Sequence, residues 1–283
     1  MDDALIFGRY TREECGLPPV NSGGGARRFV VRALLLLAAL VTVGWIAGRL
    51  EAGWREAWLS GLPAMVHAAP DEDVSDLLAR GRMYASALPA RQRMRRDLAL
   101  AVLVAGERAP RREGYYANAR RLLASVRISE LQAPEEKLYT EFAASGVHAQ
   151  FHDYAPALAC LERADKALEG VSDAGLRASL RLLLVNAHAY YLAVAPRGAG
   201  GDPARSLELA QLMIASRDTL PGGGYASDSA AFLDTLAMAW HVNGDADKAL
   251  ASQSMALGLA DSSELFELLT HYDEIAGGAA PSR

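Results

Sequence analysis

Strand-forming sequence is nearly missing beyond residue 50: runs of Val, Ile, Thr and aromatic residues are scarce there, and Phe, Trp and Tyr together make up only 7% of the 283 residues. A sheet-based fold is therefore excluded in favour of an all-α one, since the abundant Ala and Leu are strong helix formers. Cysteine is equally thin. Cys15 and Cys160 are the only two, which rules out a disulfide framework, and Cys160 sits in an apolar helical stretch as a small buried residue. Chemistry is poorly provided for as well. The glycine clusters at 198–201 and 222–224 lack the G-K-[ST] ending of a phosphate loop, and no glutamate stands between His148 and His152 to complete an H-E-x-x-H site. Asp2 follows Met1 where myristoylation needs glycine, and Cys15 is not at a lipoprotein cleavage site.

One absence is positive information. No charged residue lies between Ala33 and Gly48, and counting back to Phe29 gives 20 residues interrupted only by Arg32. A helix of that length rises about 30 Å, enough to cross a hydrocarbon core, with Arg32 snorkelling into the headgroups. Residues 29–49 are read as a single transmembrane helix, with Trp45, Trp54 and Trp58 as an interfacial belt. A cleaved signal is disfavoured, because 28 residues precede the run and Arg49 and Trp54 occupy the region where small residues should mark cleavage. Arg27, Arg28 and Arg32 outnumber Arg49 and Arg55, which predicts a cytoplasmic N-terminus and a helical domain in the periplasm or otherwise outside. Gly44 and Gly48 form a G-x-x-x-G that would suit a homodimer or a larger membrane complex.

The remaining organisation follows from breakers and caps. Residues 1–28, with Pro18, Pro19 and three consecutive glycines, read as a flexible tail; 50–70 as an interfacial linker; 71–277 as a helical domain; and 278–283 as a disordered end. Within the domain, helices are expected near 71–87, 89–108, 113–127, 134–151, 154–169, 173–194, 202–217, 225–243, 245–260 and 262–276.

Residues 230–261 carry the sharpest pattern. Leu233, Leu236, Ala237 and Trp240 follow the W-x2-L-G-x2-Y rhythm, and Ala249 and Ala256 fall where a second helix must pack closely. Three other stretches share that second-helix spacing, through Ala119, Leu123 and Val126, through Ala157, Leu161 and Ala164, and through Ser206, Ala210 and Met213. Leu183, Asn186, Ala187 and Tyr190 give another first-helix match. The chain thus resembles the tetratricopeptide repeat family. It departs from that family in its intervals of 38, 49 and 43 residues between positions 119, 157, 206 and 249, against a regular advance of about 34, and in Gln253 where a large aromatic is common.

What the resemblance implies is an α-solenoid that binds a protein partner rather than a catalyst: no enzyme, no cofactor and no metal. It further implies a groove lined by Arg181, Leu184, His188 and Tyr191 on one first helix and by Asp234, Met238 and His241 on another. The expected function is a membrane-anchored adaptor or scaffold, as an assembly factor or as an accessory subunit of a membrane complex. Two alternatives stand beside it. His148 and His152 lie at i, i+4 with Asp153 adjacent, a spacing that can hold a metal for a cryptic enzyme. Residues 80–127 contain 12 arginines against three acids, whereas 128–283 hold 10 basic and 21 acidic residues, so Arg91, Arg93, Arg95 and Arg96 form a candidate basic patch for anionic lipid. Nucleic acid is not expected as a partner, because no reading motif accompanies the arginines.

Overall fold

The computed structural model describes residues 41–42, 48–87, 92–109, 112–217, 228–260 and 264–278. The chain divides into two compact units, Met1–Ala57 and Trp58–Arg283. In the first, the described residues 41–42 and 48–57 are helical. The tail 1–28, most of the expected span 29–49 with Gly44 and Trp45, and the end 279–283 lie outside the described residues. Among the described residues, no helix is long and apolar enough to cross a membrane.

The described residues of the second unit form helices and turns without strands. They are α1 (58–68), α2 (Asp71–Ala87), α3 (Gln92–Arg108), α4 (Glu113–Ala124), α5 (Pro134–Gln150), α6 (Tyr154–Leu168), α7 (Ala174–Val194), α8 (Pro203–Arg217), α9 (Asp228–Val242), α10 (Ala246–Leu259) and α11 (Leu265–Ala276). Local chemistry sets many of these boundaries. Pro134 opens α5 at a position where no amide donor is needed. The Asp173 and Asp245 side chains accept from the Leu176 and Lys248 amides at 2.7 and 3.2 Å, capping α7 and α10.

Neighbours in sequence are neighbours in space. The most extensive pairings are α3 with α4, α5 with α6, α7 with α8 and α9 with α10, so the unit is built of consecutive helical hairpins. Successive hairpins touch through α4 and α5, α6 and α7, and α8 and α9; α7 also packs on α9, and α11 closes against α10 and α9.

A repeated seam explains why these hairpins close. Ala119, Leu123 and Val126 of the first second-helix segment are buried, as are Ala157, Leu161 and Ala164, Ser206, Ala210 and Met213, and Ala249, Gln253 and Ala256. The leading residue of each trio is fully buried and small, which lets two helix backbones approach; Ser206 adds a 2.7 Å donation to the Ala189 carbonyl. Each trio follows i, i+4, i+7, a stripe turned to the partner helix, with Val126 of the first trio just past the end of α4.

The reading of 50–70 as a linker is corrected by α1. Leu59, Leu62 and Val66 recur on one helical face and are fully buried in a core shared with Leu78, Met94 and Leu98. Gly81 permits this contact, since a Cβ there would come within 2.6 Å of the Leu62 side chain. Trp58, assigned to the interfacial belt, instead stacks edge-on against Tyr84 at 5.0 Å with the Arg80 guanidinium 5.9 Å from its ring.

Candidate functional site

Two clefts of related construction lie between second helices of successive hairpins, each floored by the first helix between them. The smaller, about 270 Å³, has walls from α4 and α6 and a floor from α5. The larger, about 540 Å³, has walls from α6 and α8 and a floor from α7, and is closed at one end by the turn that contains Ala199 and Gly200. Their linings correspond in register. Arg120 and Leu158 each follow the leading seam residue by one position, and each floor carries a histidine, His148 and His188.

Charges inside the smaller cleft are matched. Arg163 donates from two nitrogens to the Glu141 carboxylate at 2.7 and 2.9 Å, and Arg120 pairs with Asp153 at 2.8 Å. Cys160 lies beneath, accepting from Arg163 at 3.0 Å, and burial, reinforced by Glu141, pushes its thiol up to about 11, so it is no nucleophile at neutral pH. In the larger cleft, Leu158, Leu184, Val185, Leu192 and Leu209 make an apolar lining, with Glu162 and Asp165 along the α6 wall and Arg205 on the other. Burial lowers the His188 pKa despite those two carboxylates, which leaves its ring neutral at pH 7.

The expected groove is not one face. Leu184 and His188 line the larger cleft, but Leu184 and Met238 are fully buried within hydrophobic clusters. Tyr191 packs in the same cluster as Leu184, 6.3 Å from the Tyr154 ring, and burial raises its phenol to about 12. Arg181 is exposed and His241 half-buried. The physical reason is one of phase: the face chosen on α7 abuts the preceding hairpin, and that on α9 abuts α7 and α11.

Asp234 belongs to a polar network that single-residue inspection misses. Its carboxylate accepts from His271 Nδ1 at 2.8 Å and from Gln253 Nε2 at 2.7 Å; Gln253 Nε2 also donates to the Leu268 carbonyl at 2.9 Å. Tyr190 lies 3.4 Å from the other His271 nitrogen. Burial alone would lower the His271 pKa, but Asp234 outweighs it and holds the imidazole above its ordinary value. Gln253, the odd residue of the fourth seam, was the only sequence signal for this network, which ties α11 to α9 and α10.

Of the two alternative sites, the histidine pair is corrected. α5 ends at Gln150 and His152 adopts a left-handed backbone with φ of 55°, so His148 and His152 are not one turn apart on a helix face. His152 instead meets the Tyr154 hydroxyl at 3.3 Å and His148 the Asp153 carboxylate at 3.4 Å, and among the described residues no group of three His, Cys, Asp or Glu is placed to hold a metal. In the basic patch, Arg91 lies outside the described residues. Arg93 and Arg96 share Glu136 at 2.9 and 3.3 Å, Arg96 is buried against Asp97, and Arg95 donates to the Ser125 carbonyl at 3.2 Å. Arg93 and Arg96 thus tie α3 to α5, and Arg95 ties it to the residue that ends α4.

Comparison of the chain with protein-family models, with curated proteins and with solved structures finds no match.

Proposed function

We infer that the chain is a membrane-anchored adaptor of tetratricopeptide-like construction, an α-solenoid held at a membrane by the apolar segment 29–49 that positions a protein partner by shape and charge. The observation that carries this reading is the seam: four second helices, the first together with Val126 just past its end, bury equivalent trios, each led by a fully buried small residue, in hairpins that pack in chain order. Each hairpin leaves a flank that only its neighbour can cover, and stacking of that kind creates extended surfaces and recurrent clefts suited to segments of other proteins. Tethering adds a mechanism of its own, because confinement at a membrane raises the local concentration of a weak partner.

Mild-detergent purification of the full-length chain with quantitative mass spectrometry tests the adaptor reading. A stoichiometric protein partner is expected, and its reproducible absence overturns the reading. A reporter fused after Arg283 tests the orientation: activity is expected only outside the cytoplasm, and cytoplasmic activity reverses it.

A further inference from the structure

The larger cleft has the same position in its repeat as the smaller one but lacks what closes the smaller one. Where α4 carries Arg120, which reaches Asp153, α6 carries Leu158; where α6 carries Arg163, bound to Glu141, α8 carries Leu212, which is exposed and outside the cleft lining. Neither cation has a counterpart at its register position in the larger lining, where Leu158 stands in place of Arg120, and the cleft is about twice the volume.

Charge on its rim is unbalanced. Glu162 and Asp165 stand three residues apart on one exposed helical edge, and neither is paired with Lys or Arg among the described residues. Arg205 across the cleft is engaged with Glu208 at 2.6 Å, and Arg163 on α6 turns to Glu141. His188 on the floor, the remaining titratable group, is half-buried.

The opening is built rather than incidental. The interval from Ala157 to Ser206 is the longest between seam positions, and its extra residues form a turn fixed by Gly201 donating to the Pro196 carbonyl and Asp202 to the Leu192 carbonyl, both at 3.0 Å. Gly200, at φ of 97°, lets that turn seat on α6, where a Cβ would come within 2.9 Å of Leu158. The α6 wall from Ala155 to Asp165 extends about 15 Å, the length of a short helical segment.

We propose that the α6/α8 cleft docks a segment of a partner protein that presents a row of aliphatic side chains to Leu158, Val185 and Leu209 and a flanking Lys or Arg to Glu162 and Asp165. This rests on the adaptor reading and names the partner chemistry for it. The apolar row supplies affinity by leaving water, and the basic flank sets orientation and rejects acidic segments by like-charge repulsion.

The test uses the full-length chain in an uncharged detergent and three labelled helical peptides, read by fluorescence anisotropy. One has a leucine row flanked by lysines, one the same row flanked by glutamates, and one the lysines with serine in place of leucine. The first is expected to bind roughly tenfold or more tighter than either other. Glu162→Lys combined with Asp165→Lys should reverse the preference between the two leucine peptides, and Leu158→Arg should abolish binding of both, with circular dichroism verifying that each variant is folded. Equal binding of all three peptides, a preference that survives charge reversal, or no binding overturns the proposal. A partner purified with the wild type and retained by the double-lysine variant would leave the adaptor reading standing and remove this cleft as its site.

Discussion

The clefts on either side of α6 share one architecture and have opposite chemistry. On the α4 side, arginines fold into the recess and find carboxylates of the same chain; on the α8 side, Leu158 takes the place of Arg120, nothing in the lining answers to Arg163, and two carboxylates remain on the rim. The difference shows how a repeat can be turned from self-packing to docking without changing its helices. The changes are Leu158 beside the seam residue Ala157 and a longer connection before the next second helix.

The largest expected effect comes from the wall the clefts share. Leu161 is fully buried in the seam of α6, and Leu161→Ala should cost about 3 kcal/mol in urea unfolding and loosen both clefts together. A loss below about 1 kcal/mol would mean that α6 is not the packed partition described. Next is the ion pair that closes the smaller cleft. Glu141 is buried while Arg163 is half-exposed, so Glu141→Gln should cost about 2 kcal/mol, less than breaking a fully buried pair. Glu162→Gln and Asp165→Gln on the other side should each stay within about 0.5 kcal/mol. Comparable losses on the two sides would erase the contrast between structural and available carboxylates.

Smaller effects sharpen the contrast. Gly200→Ala places a side chain in a left-handed backbone and against Leu158, and thermal unfolding should register about 1 kcal/mol of destabilisation; an unchanged midpoint would show that the turn does not need its glycine. Away from both clefts, His271 sets a pH dependence. Its folded pKa is raised, so the stabilisation from its charged pairing with Asp234, helped by Glu267 and Glu274, is complete below the unfolded value of about 6.5 and is lost as pH rises through the folded value. The stability difference between wild type and His271→Gln should therefore be wider at pH 5.5 than at pH 8, and a difference independent of pH would remove the charged pairing.

Helices and their hairpin partners were legible because they are written locally. Breakers, Asp caps and the i, i+4, i+7 seam sit within single segments, and expected helix ends lie within a few residues of those observed. What escaped depends on distant residues. Leu59, Leu62 and Val66 form a good helical stripe, but their proximity to an apolar run and to Trp54 and Trp58 suggested an interface instead of a core. The phase of α7 and α9 could not be fixed, since only the neighbouring hairpin decides which apolar face becomes interior. Arginine density in 80–127 reads as an open basic surface, but Glu136, some forty residues along from Arg93 and Arg96, pairs with both of them. The His271 pairing has no local signature, because Asp234, its partner, lies 37 residues away on another helix. The larger cleft left two traces in the sequence, the expected groove residues Leu184 and His188 that line it and the long interval between Ala157 and Ser206 whose turn borders it.

The most direct test of the repeated seam is thiol accessibility. Single cysteines at Ala119, Ala157, Ser206 and Ala249, in a background with Cys15 and Cys160 replaced, would be challenged with a thiol reagent under native conditions, beside exposed controls at Ala117 and Ala251. Protection at all four seam positions, lost only with global unfolding, is the result expected of hairpins packed in one register. Reaction at any of the four as fast as at the controls would contradict it.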